Sequence, residues 1–217
     1  NITWADRDTA LPNRFVAKVP TQDPGGRTVG KMLNVWVREA EFYARLAPLV
    51  ATPVPTCRAN FISGDKALLL LDDLYPASAG DQLIGASADQ AYAAVEALAQ
   101  LHAPFWGRPR TPAVAWVPGL DTPGTSEALG SAMAASLPRF DERFGDLLPE
   151  LGLKWLRAFV PLLGQWRADL LSKPLTIAHA DYRLENMLFG PQDEITVIDW
   201  QTAMFTGGAT DLSFFLA

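Results

Sequence analysis

The chain changes texture close to Tyr75. Before it, short runs of strand-forming residues alternate with turns around a single amphipathic stretch. After it, apolar residues recur mostly at steps of three and four. The first part reads as β-β-α-β-β, which is too small to bury a core by itself and needs a neighbour. The length of 217 residues leaves room for one large unit or for two lobes sharing a cleft. The expected class is α+β.

The details bear on where chemistry can sit. TWADRDTALPNRFVAKVP, from Thr3, reads as two strands joined by a polar turn, and DPGGRTVG, from Asp23, as a loop. KMLNVWVREAEFYARLAPLV, from Lys31, places Leu33, Trp36, Val37, Ala40, Tyr43 and Leu46 on one helical face and is expected to end at Pro48. CRANFIS and KALLLLDDL form a hairpin around SGD. Further on, Ser87 and Gln90 make a capping box for a helix reaching His102, and Ala103 to Asp121 is an ordered loop with aromatic anchors. Helices follow from Ser126 to Phe144 and from Leu151 to Leu171, the latter bent near Pro161. LTIAHA, then MLFG paired with ITVIDW across PQDE, are short strands.

Composition excludes several functions. Eighteen Lys and Arg against 24 Asp and Glu give a formal charge of −6, with no basic run to attract nucleic acid. A single cysteine, Cys57, and two histidines leave a structural zinc site almost without ligands. The longest apolar runs, such as Ala67 to Leu71, are far short of a membrane span, and a cytoplasmic location is the expectation.

The chemistry gathers in the last forty residues. HADYRLEN, from His179, carries Asp181 and Asn186, and Asp199 closes the apolar run ITVID. If the two short strands pair, Asn186 precedes one and Asp199 ends the other, so both reach the same open end of the ladder with Asp181 at its mouth. Two carboxylates and an amide oxygen suit Mg²⁺, which takes few protein ligands and completes its shell with water and phosphate. A turn role is the plainer reading for any one of the three, and their grouping argues for the site. His179, among Ile177, Ala178 and Ala180, reads as a core histidine that holds the loop. Upstream, Lys18 lies in an otherwise apolar strand, and Glu39 shares a helix face with Phe42, Tyr43 and Leu46. Pairing the two satisfies both and aims an ammonium into the cleft as a phosphate hook.

These stretches together resemble the small-molecule phosphotransferases of the protein-kinase-like fold, the group of the aminoglycoside and choline kinases, and within it the ecdysteroid-kinase-like branch. HADYRLEN with VIDW resembles the catalytic loop and metal motif, FVAKVP the lysine strand, REAEFYARLAP the lobe helix, and LLLLDDL the last small-lobe strand and hinge. GDQLIG and LAQLHAPFW are similar to that branch as well. The resemblance implies a small antiparallel-sheet lobe over residues 1–73 and a mainly helical lobe over residues 74–217. It implies ATP and Mg²⁺ as cofactors and a small-molecule hydroxyl as acceptor. Asp181 takes the place of the catalytic carboxylate, and Asn186 and Asp199 that of the metal ligands. Lys18 and Glu39 stand for the phosphate-binding pair, Asp72, Asp73 and Leu74 for the hinge that meets adenine, and Asp211 for an aspartate bracing the loop. Ala180 replaces a usual glycine, a mild change if its φ is negative. Measured against the resemblance, the chain is expected to be truncated at both ends.

Other readings stay open. The aromatics Phe105, Trp106 and Trp116 suit a hydrophobic acceptor, or simply anchor their loop. GGRTVGKM, from Gly25, nearly spells a phosphate-binding loop, but Met32 stands where a hydroxyl is needed and no parallel β-α pattern follows. A metal-dependent hydrolase using His179, Asp181 and Asp199, and a catalytically inactive kinase-like binding protein, are the alternatives to the kinase.

Overall fold

The computed structural model describes residues 14–64, 66–122 and 125–217. The earlier of the two strands expected ahead of Lys18 lies outside these residues. Strand β1 (Phe15–Lys18) is followed by helices α1 (Pro24–Met32) and α2 (Val35–Glu41) and by strands β2 (Cys57–Ser63) and β3 (Lys66–Asp72). The three strands form an antiparallel sheet in the order β1-β3-β2, with Lys18 opposite Leu69 and Phe15 opposite Asp72. The hairpin of β2 and β3 is the expected one.

The loop expected from Asp23 is instead helix α1. The Asp23 carboxylate accepts the Gly26 N–H at 2.6 Å and Pro24 occupies the first turn, two start signals that offset the low helix propensity of the glycines. A Cβ on Gly30 would come within 2.7 Å of the Trp36 ring, so glycine lets α1 lie close on it. Helical geometry from Pro24 onward also removes the phosphate-loop reading, since Lys31 falls in the last turn of α1. The single helix expected from Lys31 is broken at Asn34, whose φ of 54° turns the chain, as asparagine tolerates. Beyond α2 it continues as a π turn, Phe42–Leu46, and a 3-10 turn, Ala47–Leu49, which contains Pro48.

The second part opens with β4 (Ser78–Ala79) and α3 (Ala88–His102), whose N-terminus carries the Ser87–Gln90 capping box in both directions. The loop from Ala103 to Asp121 buries Val114 and Val117. Helices α4 (Thr125–Phe144), α5 (Glu150–Phe159) and α6 (Leu163–Leu171) follow, with a 3-10 turn at Val160–Leu162 where Pro161 interrupts the helix. Then come β5 (Leu175–Ala178), β6 (Met187–Phe189), β7 (Ile195–Val197), β8 (Met204–Gly207) and α7 (Ala209–Leu216). Strands β4, β6 and β7 form one antiparallel sheet in that order, and β5 pairs with β8.

The core runs through both parts and includes Phe42, Leu46, Leu71, Leu101, Ile177, Met187, Val197 and Trp200. Burying each such side chain contributes about 1.5–3 kcal/mol. Phe42 and Trp200 stack face to face across the junction, 3.9 Å between centroids and 5° from parallel. This contact seats α2 on the turn that follows Asp199.

Candidate active site

The site is built where β5 ends. His179 is fully buried, its Nε2 lies 2.9 Å from the Ile198 carbonyl, and its ring packs on Trp200 and Tyr182. Burial lowers its pKa, against the opposing pull of Asp211, and keeps the ring neutral. Asp211, buried in the first turn of α7, accepts the N–H groups of His179 at 3.0 Å and Ala180 at 2.7 Å. Its Oδ2 also lies 2.8 Å from His102 Nε2. Ala180 has a φ of 61°, so the condition under which its replacement of glycine is mild is not met, and alanine occupies a conformation in which glycine is easier. The Tyr182 hydroxyl donates to the Ala94 carbonyl and ties the loop to α3.

The amide of Asn186 donates to the Asp181 carbonyl at 2.8 Å and to Asp181 Oδ2 at 2.9 Å. Both amide hydrogens are then used, which leaves the carbonyl oxygen as the group on offer to a cation. The Ile198 N–H donates to the Asn186 carbonyl, and Met187 faces Val197 in the ladder, so Asn186 and Asp199 meet at one open end as expected. Asp199 has a φ of 65°. Its Oδ1 lies 2.7 Å from Lys18 Nζ, and Gln201 Nε2 donates to its Oδ2 at 3.2 Å.

Lys18 Nζ also lies 2.6 Å from Glu39 Oε1, and Glu39 is only 3 % exposed. Burial pushes the Lys18 ammonium down, but Glu39 and Asp199 outweigh it and hold its pKa above the ordinary value. At Glu39 burial dominates and raises the carboxyl, with Lys18 opposing it. One ammonium thus joins a residue of α2 to the end of the β6–β7 ladder.

Above this cluster lies a cavity of about 460 Å³. Val16, Leu71, Leu188 and Ile198 give it apolar walls, Lys18, Asn186 and Asp199 a polar end, and Asp72 to Tyr75 one rim. At the rim, Arg58 binds the Asp72 carboxylate through two bonds of 2.8 Å, and Arg14 pairs with Asp73 at 2.8 Å. The N–H groups of Asp72 and Asp73 donate to the carbonyls of Thr56 and Arg14. Asp181 stands outside the wall, attached to it through Asn186.

The cavity has apolar walls and ends in an ammonium, a carboxamide and a carboxylate, and comparison with known proteins decides the family. A family model described as phosphotransferase enzyme family matches residues 3–217. The chain belongs to that family. A search among curated proteins gives no match. Among solved structures, a macrolide 2'-phosphotransferase from Brachybacterium faecium superposes with a TM-score of 0.54 at 23 % identity, over 92 % of this chain and 62 % of that one. An aminoglycoside phosphotransferase from Streptomyces rimosus, solved with ADP and streptomycin, gives 0.55 at 19 %, over 93 % and 70 %. These likenesses establish the kinase-like phosphotransferase fold, a small antiparallel-sheet lobe and a helical lobe. The chain spans about 62 % of the first of these proteins.

Within the phosphotransferase fold, one sequence reading falls. Among the described residues no three His, Cys, Asp or Glu side chains are grouped to hold a metal ion. His179, buried with Nε2 on a carbonyl, is not available as a ligand, which removes the hydrolase constellation of His179, Asp181 and Asp199. Phe105, Trp106 and Trp116 do not line the cavity. Trp106 lies beside His102, and Trp116 packs under Arg45 and donates to the Ala113 carbonyl. No helix among the described residues is long and apolar enough to cross a membrane.

Sequence reasoning missed three residues around the phosphotransferase loop. Arg183 Nε lies 3.4 Å from Asp181 Oδ1 and 3.8 Å from Glu185 Oε2. A cation two residues from Asp181 was a readable signal. His102 and Gln82 gave none, because their partners lie more than a hundred residues away in the chain.

Proposed function

We propose that this chain transfers the terminal phosphoryl group of ATP to a hydroxyl of a small molecule. The observation that carries the reading is the unbroken line from the apolar slot through Lys18, Asp199 and Asn186 to Asp181. The purine fits the slot, where the Leu74 N–H, free of a protein acceptor among the described residues, donates to its ring. The small lobe then ends at residue 73 and the helical lobe begins at residue 74. Lys18, held by Glu39, offsets phosphate charge.

The donor set fits Mg²⁺: two hard oxygen ligands, Asn186 Oδ1 and Asp199, at the polar end of a cavity with room for phosphates. When bound, the ion neutralises and aligns the phosphates. Asp181 orients the acceptor hydroxyl and takes its proton, and the Asn186 amide holds that carboxylate in place. The protein's part is positioning and electrostatics. Relatives solved with ADP and with GDP support a nucleotide, and ATP is the one we assign. The resemblance of GDQLIG and LAQLHAPFW to the ecdysteroid-kinase-like branch supports a reading within that branch. A cytoplasmic setting, with ATP and Mg²⁺ at hand, suits the reaction.

Calorimetry of ATP binding with and without Mg²⁺ tests the reading. Tighter binding with the metal is expected, and Asp199→Asn should remove most of that gain. Asp181→Asn should leave binding nearly unchanged while phosphoryl transfer to a panel of small-molecule alcohols falls roughly 10²-fold or more. A folded chain with no saturable ATP binding overturns the proposal, and binding without transfer in the wild type favours an inactive binding protein.

A further inference from the structure

The GDQLIG stretch, Gly80 to Gly85, has no part in the chemistry above, yet its backbone is pressed against the catalytic loop. A Cβ on Gly80 would meet the Leu184 Cβ at 2.9 Å and the Leu184 carbonyl at 3.0 Å, and the Gly80 N–H donates to the Met187 carbonyl. Two residues on, Gln82 reaches three distant groups with one carboxamide. Its Oε1 accepts the Leu184 N–H at 3.0 Å, and its Nε2 donates to the carbonyls of Phe214 at 3.3 Å and Phe215 at 3.2 Å. The Gln82 N–H adds a longer bond of 3.4 Å to Glu185 Oε1.

The Leu184 N–H opens the 3-10 turn Leu184–Asn186 and has no partner inside that turn, and the two carbonyls belong to α7. Gln82 therefore caps the start of one helix and ties it to the backbone of another. A carboxamide supplies both polarities at once, and the network fixes which way round it sits. The other end of α7 holds Asp211, which grips the loop at His179 and Ala180. The loop is fastened to α7 at its beginning through Asp211 and at its end through Gln82.

We propose that Gln82 is a positioning residue: by fastening the Leu184–Asn186 turn to α7, it sets Asn186 and so places Mg²⁺ on the nucleotide phosphates. The proposal rests on the phosphotransferase reading above. The readout is the factor by which Mg²⁺ tightens ATP binding to the full chain, measured by calorimetry for wild type, Gln82→Glu, Gln82→Met and Asn186→Ala. At about pH 8 both Gln82 variants should lose roughly 3- to 10-fold of that factor, the scale of one or two lost hydrogen bonds, with Mg²⁺-free affinity unchanged. Lowering the pH to about 4.3 protonates about half of the introduced glutamate, whose carboxyl then both donates and accepts. Gln82→Glu should then recover toward wild type measured at the same pH, and Gln82→Met should not.

Gln82 variants that fold and keep the whole Mg²⁺ factor, while Asn186→Ala loses it, overturn the role of Gln82 and leave the phosphotransferase reading standing. Equal loss of Mg²⁺-free and Mg²⁺-dependent affinity, with no recovery at low pH, overturns it as well, because that is what general loosening of the fold produces. A wild type with no Mg²⁺ effect overturns both proposals.

Discussion

Ala180 sits in left-handed backbone between two residues that matter, His179 and Asp181, and Asp211 holds its N–H there. The left-handed conformation costs an L-residue about 1–2 kcal/mol, part of which glycine returns as unfolded-chain entropy. Ala180→Gly is therefore expected to stabilise the protein by roughly 0.5–1 kcal/mol, read as a rise in Tm. A lower Tm would show that the methyl group has packing value that the strain argument omits. His179 makes a prediction about pH. Burial depresses its pKa below the ordinary 6.5, so as the pH falls the unfolded chain takes up the proton first. Stability is lost progressively below about pH 6.5, by at most about 1.4 kcal/mol per pH unit. Glu39, with a raised pKa, works the other way, since the folded state gains its proton first on acidification. The measurement is consequently the difference between wild type and His179→Gln in urea melts from about pH 7 to 5. Parallel curves for the two proteins would contradict the neutral, buried imidazole. The pairing of Lys18 with Glu39 was legible because an ammonium in an apolar strand and a carboxylate on an apolar helix face each demand a partner. That Asp199 shares the same ammonium was not, since nothing local announces a partner 181 residues away.

At the scale of elements, strands and hairpins were read well wherever the alternation was strong and the turn contained glycine, as in β2 and β3. Helix α1 was missed because glycine was weighed as a breaker, whereas here it is a contact. Gly30 separates the two effects. Alanine in a helix interior normally gains about 1 kcal/mol over glycine, but a Cβ at this position would lie 2.7 Å from the Trp36 ring. Gly30→Ala should thus cost about 1–3 kcal/mol in chemical denaturation, with the overpacking exceeding the propensity gain. A stabilised variant would mean that Trp36 moves aside freely. Strand β8 and helix α7 escaped sequence reading because GGATDLSFFL shows no clean period. Their identity comes from what they touch: β8 completes a ladder with β5, and α7 presents Asp211 to the loop.

At the scale of the whole molecule, the order of motifs along the chain carried the fold, because strands, helix, hinge and loop must follow one another in one sense to enclose a single cleft. Position within the cleft did not follow from order: the aromatics near Trp116, weighed for the acceptor, do not line the cavity beside Lys18. A ligand that binds only the closed, folded arrangement should stabilise it. Saturating ATP with Mg²⁺ at about a hundred times Kd is expected to add about 2.7 kcal/mol, seen as a rise in Tm that shrinks when the metal is chelated. An unchanged Tm in a sample that binds ATP would mean that the unfolded chain binds it as tightly as the folded one. The stacked rings of Phe42 and Trp200 couple the two parts of the chain. Trp200 directly follows Asp199, and Phe42 lies three residues beyond Glu39, so each of the two carboxylates that share one ammonium is tied to one ring of the stack. Both rings are fully buried in a close-packed core, so neither shifts without carrying its carboxylate along. The stack works as a rivet that holds the spacing which Lys18 bridges.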